Sequence, residues 1–285
     1  GELGKEDELG TLRARVGENG ENALAVPVQV ADDGVDLGEG EPHRKRFYRF
    51  ATLRRKHGDL GDMETITFDR RYRGPAQSAN GGYAAGRLAA FVDGPAEVTL
   101  RLPPPLERPL TVVEDDGRVL LCDGEAIVAE AQRGAPDVDP PAAPTLAEAE
   151  DAQTRHVRWG GDNFSECFSC GERPGDGLCI HVGPVAGRDL QAAAWTAHEV
   201  SPEIVWAAID CAGAYAVGGP GRGEVLLGRM AAEIRRLPEE GERCIVAAWP
   251  LGEDGRKLHA GTALFSAEGE LLALARQTWI QPRTG

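Results

Sequence analysis

The stretch Asn80-Gly81-Gly82-Tyr83-Ala84-Ala85-Gly86-Arg87-Leu88-Ala89-Ala90-Phe91 decides the reading of this chain. Its Ala and Leu content favours helix, and Asp93-Gly94-Pro95 stops it. From Tyr83 to Phe91 the run is apolar nearly all round, so the helix must be buried. Short alternating segments lie outward on both sides: Met63–Phe68, Glu97–Leu102, Thr111–Glu114, Val119–Asp123 and Glu125–Ala131. Asp115-Asp116-Gly117 and Asp123-Gly124 read as hairpin turns between the last three. A curved antiparallel sheet wrapped around one buried helix satisfies this pattern.

The same grammar recurs further on. A proline-rich segment, 134–150, reads as a linker with a short helix in its second half. Gly177–Val182 and Gln191–His198 read as strands. Val200-Ser201-Pro202-Glu203 opens a helix through Tyr215, with Ser201 as its cap and Pro202 early in it. Glu224–Leu237, Arg243–Leu251, Lys257–Ser266 and Leu271–Gln281 follow as four strands. The expected organisation is an N-terminal extension over 1–62, a first domain over 63–133, the linker over 134–150 and a second domain over 151–285. The extension carries Gly and mixed charge in short blocks, as in Gly-Glu-Asn-Gly-Glu-Asn at 17–22.

The chain has 285 residues, 41% hydrophobic and 27% charged, which suits one or two domains with real cores. A formal net charge of -15 repels phosphate backbones and anionic membranes. This argues against nucleic acid as the main partner, while an anionic small molecule such as coenzyme A needs only a local Arg cluster. No apolar run approaches the length of a membrane span, and no charged start leads into an apolar one. A reduced, cytoplasmic protein without membrane insertion is the expectation, with its six cysteines free rather than paired.

Three segments resemble hotdog-fold thioesterases. Asn80-Gly81-Gly82-Tyr83 is similar to the entry into the central helix of that superfamily. Ala207-Ala208-Ile209-Asp210-Cys211-Ala212-Gly213-Ala214-Tyr215 resembles the acid-bearing mid-helix segment of phenylacetyl-CoA-type thioesterases. Cys167-Phe168-Ser169-Cys170-Gly171 is similar to a stretch preceding the first strand of many hotdog proteins. The tandem arrangement also resembles acyl-CoA thioesterase II enzymes; their catalytic Thr has no clear match here, and Gln277 falls near the place of their Gln. The resemblance implies an α+β fold, a double hotdog of two antiparallel sheets each wrapping a central apolar helix. It implies an acyl-CoA thioesterase, with coenzyme A as part of the substrate and no further cofactor. Catalytically silent acyl-thioester binding or assembly is the alternative. The chain would already make the usual hotdog dimer within itself, with a homo-oligomer left open.

In the phenylacetyl-CoA type, the family pattern puts the acid seven residues after the second Gly, and the working site takes the Gly pair from one subunit and the acid from the other. Here that offset leads from Gly82 to Ala89, and back from Asp210 to Glu203. The first half keeps the glycines and the second keeps the acid, so one composite cleft is retained. Gly81 and Gly82 N–H groups would polarise the thioester carbonyl at a helix N-terminus. Asp210 would act as general base or nucleophile, and Asn80 or Gln77 would orient water or thioester. A thioester is expected to fit between the Asp210 carboxylate and the Gly82 amide. Tyr83, Arg229 and Gln277 complete the substrate-binding candidates, Tyr83 with packing as its plainer role. Arg229 joins Arg235 and Arg236 as phosphate-binding candidates, against an exposed strand face. Cys167, Cys170, Cys179 and His181 could supply four zinc ligands, or form a structural loop with buried thiols.

Overall fold

In the computed structural model, residues 64–159, 162–219 and 222–282 are described. The proposed extension, 1–62, lies outside them. The strands are β1 (Thr65–Thr67), β2 (Ala96–Leu100), β3 (Pro109–Asp115), β4 (Arg118–Asp123), β5 (Ala126–Arg133), β6 (Gly183–Pro184), β7 (Gln191–Thr196), β8 (Leu226–Ile234), β9 (Arg243–Asp254), β10 (Lys257–Ser266) and β11 (Leu271–Ile280). Among the described residues, four α-helices accompany them: α1 (Gly81–Ala89), α2 (Leu146–Gln153), α3 (Pro202–Ala208) and α4 (Cys211–Val217).

All strands among the described residues belong to one eleven-stranded sheet, in the order β1-β3-β4-β5-β2-β8-β11-β10-β9-β7-β6. This corrects the expectation of two separate sheets. β2 and β8 would each present an open edge, and unpaired edge groups seek partners. They pair antiparallel, Ala96 opposite Ala232 through Thr99 opposite Arg229, and close the gap. Arg229 Nε reinforces the join by donating to Thr99 Oγ1 at 3.0 Å.

α1 lies on the sheet against β2 and β5 and packs along α3. Tyr83, Ala84, Ala85 and Leu88 are buried, as an all-apolar helix requires. Gly86 lets α3 approach: a Cβ there would stand 2.7 Å from Glu203 Cα. The other face of the second half is covered too. Along β9, Cys244, Val246 and Ala248 join the main core with α1 and α3. Ile245, Ala247 and Trp249 alternate with them and join a second cluster with Ala149 and Ala152 of α2. The linker helix is thus a structural layer. Thr145 caps it through a reciprocal box with Glu148.

Two further expectations are corrected. The segment 177–182 is not a strand. Leu178 N–H donates to Phe168 O at 2.7 Å and Ile180 N–H to Ser169 O at 2.9 Å, so its backbone pairs with the cysteine turn instead. Cys179, at φ 51°, interrupts the extended path. The helix read over 203–215 is broken at Ile209-Asp210, giving α3 and α4. Gln277 Nε2, from β11, donates to the carbonyls of Ile209 at 2.8 Å and Asp210 at 3.2 Å. Asp210 O also accepts from Gly213 N–H at 3.1 Å, in a tighter turn than the α-helical step, and the chain turns at Asp210 with ψ −77°.

Candidate active site between the two helix ends

Asn80 stands at the N-cap of α1, where its Oδ1 accepts from Tyr83 N–H at 2.8 Å. The same side chain turns its amide outward. Nδ2 donates to Asp210 Oδ2 at 2.8 Å, and Gly82 N–H donates to that same oxygen at 2.9 Å. The second glycine of the pair and the acid, 128 residues apart in sequence, therefore meet. Gly82 permits this approach: a Cβ would lie 2.5 Å from Asp210 Cβ and 2.6 Å from Trp206 O. The contact is direct, so the thioester expected between the acid and the Gly82 amide does not fit there in this state.

Asp210 is 2% exposed. Its Oδ1 is buried and has no hydrogen-bond partner among the described residues. Loss of water drives the carboxyl pKa up to about 7, and the nearby Cys167 pushes the same way; the Gly82 and Asn80 donors oppose them. An acid in this state is an acceptor with one oriented oxygen and one uncommitted oxygen.

The other sequence candidates separate around this pair. Gly81 begins α1 beside Leu100 and Leu227, and a Cβ would touch both at 3.0–3.2 Å. As the first helical residue it offers an amide with no intrahelical acceptor. Tyr83 is buried in an aromatic cluster, stacked on Tyr72 at 3.9 Å between centroids and edge-on to Phe68 and Phe168. Gln77 is exposed on the turn before Asn80. Gln277 sits beneath the helix break, where its Oε1 also accepts from Trp279 Nε1 at 2.8 Å. It positions Asp210 through the backbone.

Met230 packs with Gln277 on the helix side, so Arg229, its strand neighbour, points to the opposite face. There it lies 3.7 Å from Glu97. Arg235 pairs with Glu233, and Arg236 with Glu242 and Glu270. The three arginines do not converge on one anion site. Ser201 caps α3, accepting from Ile204 N–H at 3.4 Å.

The cysteines also regroup. Among the described residues, the sulfurs that gather are those of Cys167, Cys170 and Cys211, all within 4.8 Å of one another. Cys179 and His181 are not members; His181 stacks on His156 at 5.0 Å. The expected ligand set is therefore corrected, with Cys211 the member that sequence spacing did not reveal.

No family model and no curated protein matches the sequence. The architecture does match solved structures. A candidate thioesterase from Novosphingobium aromaticivorans aligns with TM-score 0.56 at 13% identity, over 79% of this chain and 98% of that one. The tesB protein of Mycobacterium avium subsp. paratuberculosis aligns with TM-score 0.52 at 14% identity, over 79% and 96%. Acyl-CoA thioesterase II TesB2 from Mycobacterium marinum gives 0.51 at 13%, over 80% and 96%. The chain shares the fold of these solved structures. At such identities the likeness speaks for the fold, and the chemistry of this chain must be argued from its own residues.

Proposed function

We propose that this chain hydrolyses an acyl-CoA thioester at a composite site between two hotdog halves, one built on α1 and the other on α3 and α4. The observation that carries the reading is the meeting of Asp210 Oδ2 with Gly82 N–H and Asn80 Nδ2 across the halves. These two donors fix the carboxylate plane and leave Oδ1 as the acceptor for the proton of an attacking water. The Gly81 amide, at the positive end of α1, is the donor for the thioester carbonyl as charge builds on its oxygen. Water adds to the carbonyl carbon, its proton passes to Oδ1, the C–S bond breaks, and the thiol leaves with a proton returned from the carboxyl. The likeness of the fold to a candidate thioesterase and to an acyl-CoA thioesterase II supports the substrate class.

The test is thiol release from a panel of acyl-CoA esters by the wild-type protein and by Asp210→Asn. Hydrolysis in the wild type that falls about 100-fold or more in Asp210→Asn, with the fold retained, supports the reading; this is the scale of losing one preorganised catalytic group. One observation favours a second reading. The direct 2.9 Å contact seals the Gly82 amide from any ligand, which suits a module that binds an acyl thioester without turning it over. Saturable acyl-CoA binding with no thiol release from the panel would establish that reading instead.

A further inference from the structure

Beside the acid lies a group that the hydrolytic reading does not use. Cys167 and Cys211 Sγ stand 3.6 Å apart, and the Cys170 sulfur is within 4.8 Å of both. A disulfide would bring two sulfurs to about 2.05 Å, so this spacing is not that of a bonded pair. Zinc holds thiolates at about 2.3 Å, which sets the sulfur–sulfur edge of a tetrahedron near 3.8 Å. The Cys167–Cys211 distance matches such an edge.

The backbone around the first two sulfurs has the form a metal turn requires. Gly171 N–H donates to Cys167 O at 2.7 Å and closes the turn. A Cβ at Gly171 would stand 2.5 Å from that carbonyl oxygen, so only glycine fits. The N–H groups of Ser169 and Cys170 point at the Cys167 sulfur, and Asn80 Nδ2 lies 3.7 Å from it. Donors converge on this sulfur, as a thiolate ligand demands. Ser169 Oγ donates to Ala207 O at 2.7 Å, fastening the turn to the end of α3 just ahead of Cys211. The third sulfur is therefore held in place by the helix break and by a side-chain strut.

Cys170 and Cys211 also line a cavity walled by Trp159, Phe164, Tyr215 and Trp279. A fourth ligand can enter there. Soft sulfur donors select zinc over magnesium or calcium.

We propose that Cys167, Cys170 and Cys211 bind one zinc ion, with an exogenous fourth ligand, water or a small thiol, supplied from this cavity. Binding releases the protons of the three thiols and leaves the ion at one oxidation state throughout. The ion would tie the cysteine turn to α4 within two residues of the acid. This inference does not depend on hydrolysis, and its readout is metal content.

The full chain, purified under reducing conditions without a metal-chelating tag, is analysed for bound metals. About one zinc per chain is expected in the wild type and in the Cys122→Ser and Cys244→Ser controls, with at least a tenfold loss in Cys211→Ser. Because Cys211→Ser could disturb folding, a second measurement is made on the wild type: zinc is exchanged for cobalt, and the absorption spectrum is recorded. An intense thiolate-to-cobalt charge-transfer band with tetrahedral visible bands supports the site. A wild-type protein with the three thiols free, no zinc and no such band overturns it. So does a Cys167–Cys211 disulfide in the isolated protein, or stoichiometric iron or copper in place of zinc.

Discussion

At Asp210, Oδ2 takes donors from Asn80 and Gly82 of the opposite half, while the buried Oδ1 takes none. Two donors on one oxygen orient a carboxylate; an empty second oxygen in the interior is costly unless it is put to use. The glycine opposite is as constrained as the acid. Gly82→Ala forces a methyl carbon to within 2.5 Å of Asp210 Cβ and 2.6 Å of a backbone oxygen. Overpacking of this kind costs about 1–3 kcal/mol. Thermal unfolding is expected to show a lowered midpoint, and hydrolysis to fall as the carboxylate is displaced; an unchanged midpoint would mean the helices part more freely than they do here. That Gly82 and Asp210 belong together was legible in the sequence, because the glycine pair stands in the first half only and the acid in the second. Their distance was not. Sequence spacing cannot say whether a substrate group or nothing separates two residues on different helices.

Among the elements, the break between α3 and α4 governs the site. Had the helix continued through Asp210, Gly213 N–H would bond to the carbonyl of Ile209 rather than to that of Asp210, as it does at 3.1 Å, and Gln277 would lose its better acceptor there. Gln277→Leu leaves the Ile209 carbonyl and Trp279 Nε1 without this partner, while Asp210 O keeps its bond from Gly213 N–H. Each buried group left unmet costs about 1–3 kcal/mol. Denaturant unfolding should show the loss of stability, and hydrogen exchange should quicken around 209–214; wild-type exchange rates in that segment would contradict the positioning role. The sequence shows an unbroken apolar run from Ile204 to Tyr215, with only Asp210 to mark a fault. The cause of the break sits on a strand 67 residues away, beyond any local pattern. The grouping of Cys211 with Cys167, 44 residues earlier, was hidden for the same reason. Helix α1, by contrast, was readable almost to its ends, because an all-apolar run with a cap and a stop carries its own evidence. The alternation at 177–182 misled: the same residues satisfy their backbone on the cysteine turn.

Over the whole molecule, the two halves share one sheet through the β2–β8 ladder. They also share a core that runs from Phe68 and Leu121 to Val246 and Leu264. A continuous ladder and core make neither half an independent unit. Heat or denaturant should therefore unfold residues 64–282 in one transition, with far-ultraviolet and tryptophan signals coincident; two separated transitions would show that the join is weak. The sequence reading of two repeated domains did not show that their strands join one sheet, since pairing between edges depends on where the strands are placed.

The central claim is that the Gly81 amide and the free oxygen of Asp210 flank a thioester carbonyl. A crystal structure with a nonhydrolysable acyl-CoA analogue, its thioester sulfur replaced by methylene, tests this most directly. The predicted result is the analogue's carbonyl oxygen about 3 Å from the Gly81 nitrogen, with Asp210 Oδ1 beside its attacking face. An analogue bound elsewhere, with the Asp210–Gly82 contact intact and no acyl group beside it, would contradict the account.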